Sequence, residues 1–264
     1  MLSRSGVLHD CDLSPLGEKQ IAFEMKTKPE HLQVGGSPVK VAFVSPLWRA
    51  VRTALAAFPK ASLVLLPDLC EVGTCFGLNV ADVRGRVQSA GFSSRSVDYS
   101  RVNDRWWEGV EPRTDGKAAV ARVRRALLTV RELAGDKPCA VVCHGNVIDV
   151  AMGRHKWLSQ TYDWTPEVIM NPPLPLSHCW RRGCVMQTFP NNFFPYRGTI
   201  SKEGVFVPPC SPPNHEQGER CFGGSVLMLR HAHSADNKAE EARKRAEKSA
   251  GVAARYVCKT VTHM

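Results

Sequence analysis

Two histidines, two arginines and one carboxylate stand where apolar runs of the chain stop. The run 225–231 ends in Arg230-His231, and the run 39–45 leads into Ser45-Pro46-Leu47 with Arg49 just beyond. The run 62–69 is followed by Glu71, and the run 139–144 ends in His144, before Gly145. Together these residue types can transfer a phosphoryl group. Two guanidiniums hold phosphate oxygens through paired, charge-assisted hydrogen bonds. A neutral imidazole attacks phosphorus and splits one hard step into two easier ones. A second imidazole stabilises the charge on the transferring group. A carboxyl group kept protonated by its surroundings gives a proton to the leaving alcohol and later activates water. The set needs no cofactor, and no ligand spacing suggests a metal.

These residues work together only if the four runs are neighbouring strands. "VKVAFVS" (39–45), "SLVLLPDL" (62–69), "CAVVCH" (139–144) and "SVLMLRH" (225–231) are strand-length, rich in Val and Leu, and show little alternation. Such runs suit strands buried on both faces of a parallel sheet. Helical patterns lie between them. Segment 45–58 opens with Ser-Pro, a good helix start. Segment 115–135 sets Ala119, Val120, Val123, Leu127 and Val130 along one face and stops at Gly135, and 14–25 is a third helix. The alternation predicts an α/β fold, in which ligands bind outside the carboxyl ends of the strands. The less periodic stretch 84–113 reads as an insertion that could roof a site. Stretch 189–224, rich in Pro, Gly and Asn, reads as loop or linker and not as core, and a charged helix follows residue 237.

The 264 residues suit one large domain or two small ones, and 43% hydrophobic with 23% charged residues is ordinary for a globular protein. A net charge of +10 favours anionic partners, but the charge is dispersed, so nucleic acid is not specially favoured. The N-terminal segment shows no apolar stretch of a secretory signal, and no run approaches membrane-spanning length. The 10 cysteines form no C-x-x-C pair and several lie in apolar runs. Buried free thiols in a reducing cytoplasm are therefore expected.

"RHAHSADN" (230–237) resembles the opening Arg-His-Gly-x-Ser-x-x-Asn motif of the histidine phosphatase superfamily, with Ala232 in the glycine position. "SPLWRAVRTA" resembles that superfamily's SPLxRAxxTA, and "DCDLSPLGEKQI" its DxxLTxxGxxQA helix start. "LCEVGTCFG" resembles the acid loop and "VVCHGNVI" the second histidine motif. The resemblance implies a three-layer α/β/α sandwich with a mainly parallel central sheet, like that of phosphoglycerate mutase. It also implies a single domain over 1–264. His231 would be the nucleophile, with Arg230, Arg49, Ser234 and Asn237 binding phosphate. His144 would stabilise the transferring group, and Glu71 would be acid and base. The motif order differs from the family's. The Arg-His strand comes last, after the 189–224 connection, so the resemblance implies a circular permutation placing the catalytic strand and helix at 225–264. Residues 225–231 are then expected between the strands at 39–45 and 139–144.

The expected activity is metal-independent hydrolysis of a small phosphorylated substrate or a phosphoprotein. A phosphoglycerate-type mutase is the first alternative, although "EVGTCFGLNV" lacks the His-Tyr-Gly of mutase loops. An inactive phosphate- or phosphoprotein-binding module is the second, for which Ala232 speaks. Other eye-catching residues have plainer readings. Arg154-His155 follows a helix-like segment and reads as surface; Arg52 reads as solvated. Trp106 and Trp107 read as core or lid packing, and the "EEARKR" run as an exposed helix face.

Overall fold

The computed structural model of the chain describes residues 10–27, 29–34, 36–73, 77–92, 96–111, 115–135, 137–153, 195–207 and 226–230. Its elements run α1 (Pro15–Thr27), β1 (Gln33–Val34), β2 (Ser37–Pro38), β3 (Val41–Val44), α2 (Trp48–Ala57) and β4 (Ser62–Leu65). Then come α3 (Val80–Ser89), β5 (Val97–Asp98), α4 (Gly116–Ala134), β6 (Cys139–Cys143), α5 (Gly145–Ala151), β7 (Pro195–Ile200), β8 (Phe206–Val207) and β9 (Val226–Arg230). β1 and β2 form a small antiparallel pair.

The other seven strands make one sheet in the order β5-β4-β3-β6-β9-β7-β8. β5, β4, β3, β6 and β9 are parallel; β7 and β8 are antiparallel to their neighbours. Successive side chains of a strand point to opposite faces, which divides the apolar runs in two. Ala42, Val44, Ala140, Val142, Leu227 and Leu229 pack with Ile21 of α1, Val51 and Leu55 of α2, and Val83 and Val87 of α3. Phe43, Val141 and Met228 pack on the other side with Val123, Leu127 and Val130 of α4 and Val147 and Ile148 of α5. Both faces of the central strands are covered, which is why those runs carry almost no polar residue.

The helices start where local chemistry provides a cap. The Ser14 hydroxyl accepts the Gly17 N–H at 3.2 Å, the Asn79 side chain accepts from Asp82 N at 2.8 Å, and Asp115 from Ala118 N at 3.0 Å. α4 ends at Gly135, whose φ of 56° lies in the left-handed region open to glycine. In the 84–113 stretch, α3 and β5 join a short 3-10 turn at Trp106–Gly109.

Two expectations are corrected. The 189–224 stretch is not all loop: β7 and β8 form a hairpin whose Ile200 and Phe206 are buried in the core. The misleading composition has a structural use. Pro195 opens β7, a position where a strand tolerates proline. Gly198 lets β8 approach, since a Cβ there would lie 2.3 Å from the Val207 carbonyl oxygen. The remainder of that stretch lies outside the described residues. Second, β9 is interior but lies between β6 and β7, not between β3 and β6. β3 and β6 pair directly, so the edge of β6 left for β9 is the one away from β3.

Candidate active site

The parallel register brings the strand ends level. Val44 of β3 pairs with Leu65 of β4 and Val142 of β6, and Cys143 of β6 pairs with Arg230 of β9. Whatever follows each strand emerges along one edge. After β3 the chain turns through Ser45, Pro46 and Leu47 into α2, and Arg49 sits buried in that helix's first turn. After β4 a 3-10 turn, Pro67–Leu69, delivers Glu71. After β6 comes His144, fully buried at the start of α5. β9 ends on Arg230 itself.

The side chains converge as well. The His144 Nε2 lies 2.8 Å from the Ser45 hydroxyl, which joins the β6 end to the β3 end. Ser45 Oγ also accepts the Leu47 N–H at 3.3 Å, fixing the turn that leads to Arg49. Gly145 backs Arg230: a Cβ at Gly145 would stand 3.4 Å from the Arg230 Nε. Burial pushes the Glu71 carboxyl above its ordinary pKa. Its bond to the Val72 N–H and the charges of Arg49, Arg230 and Arg122 act in the opposite direction. A carboxyl whose pKa is raised in this way is better suited than an ordinary one to donate a proton to a departing oxygen. The structure thus brings together Arg49, Glu71, His144 and Arg230. His231, Ser234 and Asn237 lie outside the described residues, as do Arg154-His155 and the "EEARKR" run. Among the described residues there is no group of three or more His, Cys, Asp or Glu that could hold a metal.

Several residues of this neighbourhood carry no role in the sequence reading. Ser45 is one, although it closes the β3 run. Asp10 is another: it is 2% exposed, and its Oδ1 accepts the Trp48 N–H at 2.7 Å, next to Arg49. Buried Arg122 and Glu111 pair at 2.6 Å behind the Glu71 loop. Arg122 had a legible signal, since it stands three residues from Ala119 and four from Ala126, inside the apolar stripe of α4. Trp106 is core, as expected. It packs with Leu47 and Cys70 and gives its indole N–H to the Leu78 carbonyl at 3.0 Å. Arg52 is not simply solvated; it bonds Glu18 at 3.3 Å and lies over the Phe92 ring.

A family model described as histidine phosphatase superfamily (branch 1) matches residues 3–168, more than half of the chain. The chain belongs to the histidine phosphatase superfamily. Membership supports phosphatase- or mutase-type chemistry. The span matched to the superfamily holds Arg49, Glu71 and His144; β9 with Arg230 lies beyond it. Comparison with curated proteins and with solved structures gives no significant match.

Proposed function

We propose that the protein is a metal-independent phosphomonoester hydrolase that works through a phosphohistidine at His231. One observation carries the reading. β9 runs parallel beside β6 and ends with Arg230, the first residue of "RHAHSADN", level with Cys143 at the edge where His144, Arg49 and Glu71 stand. In this reading the chain is one circularly permuted domain, and β9 takes the place that an opening strand has in the superfamily.

Arg230, Arg49, Ser234 and Asn237 hold the phosphoryl oxygens. The His231 imidazole attacks phosphorus; the ester P–O bond breaks, and Glu71 gives its proton to the leaving alkoxide. Glu71, now a carboxylate, takes a proton from water, which attacks the phosphohistidine and releases inorganic phosphate. His144 stabilises the charge on the transferring group. Hydrolysis is preferred to mutase action because the loop after Glu71 lacks the His and Tyr of mutase loops. The substrate is a small phosphorylated molecule or a phosphoprotein. A cytoplasmic setting is supported by the buried free thiols of Cys139 and Cys143. Among the described residues no helix is long and apolar enough to cross a membrane.

The test is rapid quenching with a panel of phosphomonoesters, with and without chelator. An acid-labile phosphoryl label should form in the wild type, survive chelation and be absent from His231→Ala. Full turnover by His231→Ala, or chelator-sensitive activity restored by zinc or magnesium, would overturn the mechanism. Retention of the phosphoryl group on an acceptor, in place of its release to water, would mark a mutase.

A further inference from the structure

We infer that Arg122 is the positioning residue of the proton donor: from the middle of α4 it holds the Glu71 loop at the strand edge. The inference rests on the reading of Glu71 as acid and base. Arg122 is 4% exposed and points behind the loop. Its Nε donates to Glu111 Oε2 at 2.6 Å and its Nη2 to Glu111 Oε1 at 2.7 Å. On its other side, Nη1 donates to the carbonyls of Asp68 at 2.7 Å and Cys70 at 2.9 Å, and Nη2 to that of Glu71 at 3.4 Å.

These five bonds use all five N–H donors of a guanidinium. Arg122 therefore has no donor left for substrate, and its effect on chemistry must pass through the loop. The loop in turn depends on Arg122. Its N–H groups at Leu69 and Cys70 bond within the turn, to Leu66 and Pro67. Three of its carbonyls look to one side chain. Glu111 neutralises the buried charge, which would otherwise be costly. Lysine cannot reproduce this, because an ammonium has three donors and no planar fork. A second tie, Arg125 to Asp68 at 2.8 Å, is largely exposed and correspondingly weak.

The experiment uses the full chain, the single variant Arg122→Lys and the pair Glu111→Leu/Arg122→Met, which removes both charges and leaves neither buried alone. An alkyl phosphate needs a proton on its leaving oxygen; p-nitrophenyl phosphate needs it far less. Both variants should lose about a hundredfold in kcat/KM on the alkyl ester, the order of a general acid's contribution, and only a few-fold on the nitrophenyl ester. Adding Glu71→Gln should cost little more. Amide exchange across 66–72 should quicken while that of β3 and β6 stays slow. Equal losses on both esters, or losses that multiply with Glu71→Gln, would overturn the assignment, as would unchanged exchange in the loop. If the wild type hydrolyses neither ester, the proposed function fails. The exchange measurement then still decides whether Arg122 holds the loop.

Discussion

Asp10 is a buried carboxyl that meets a backbone N–H through one oxygen, while its Oδ2 makes no hydrogen bond among the described residues. Burial pushes its pKa up to about 7 from 3.8, although Arg49, the Trp48 N–H and Arg86 pull it down. The folded state therefore binds a proton between those two values that the unfolded state has released. Asp10's share of stability is complete below about pH 4 and is lost as pH rises through about 7, with a ceiling of about 4 kcal/mol. Asp10→Asn keeps an acceptor for Trp48 and removes the titration. Its denaturant midpoint, measured from pH 5 to 8, should gain steadily on the wild type; parallel curves would contradict the assignment. The residues that the fold brings to the strand edge were legible in the chain because they close or follow apolar runs: Arg49, Glu71, His144 and Arg230. Asp10 and Ser45, which open two of the quoted motifs, and Glu111 showed no role there, because their contacts lie with partners elsewhere in the chain. Trp48 is 38 positions from Asp10, and His144 is 99 from Ser45.

At the scale of elements, a strand buried on both faces advertises itself by composition, and β3, β4, β6 and β9 all lie within the expected runs. The β7–β8 hairpin does not. It holds Pro195, Gly198 and Gly204, residues that usually mark a turn. Among the hairpin's described side chains, the apolar ones that reach the core are Ile200 and Phe206, too few to show a period. What specifies the hairpin is close approach. Gly198 faces the Val207 backbone and the Phe206 ring, where a Cβ would come within 2.3 Å and 2.7 Å. Gly198→Val should cost about 2–3 kcal/mol through overpacking, read as a lower denaturant midpoint. β9 should suffer with it, because β7 pairs with β9 over four residues, Pro195 to Gly198. A midpoint equal to the wild type's would show that β8 can move aside at little cost. The neighbours of β9 were not legible for a related reason: an apolar strand fits beside any other, and the choice was made by pairing geometry.

For the whole molecule, β9 is joined on both sides, by β6 along five residue pairs and by β7 along four. A chain cut to 1–224 loses the strand between them. It should fail to fold cooperatively, not merely lose activity. A gene that moves 225–264 ahead of Met1 through a short flexible joint should by contrast fold and retain turnover. Connection length itself costs little, about 0.6 kcal/mol per doubling. Melting and turnover of the rearranged chain provide the check, and a folded, stable 1–224 fragment would refute the central role of β9. The position of β9 also bears on how the protein is born. A ribosome that has reached residue 207 has already made β6 and the β7–β8 hairpin, but not the strand that unites them. Until Val226–Arg230 emerges, β6 offers an unpaired apolar edge to any passing chain. The nascent protein is thus most exposed to aggregation between the making of β8 and that of β9, and its sheet closes only when Val226–Arg230 has been added.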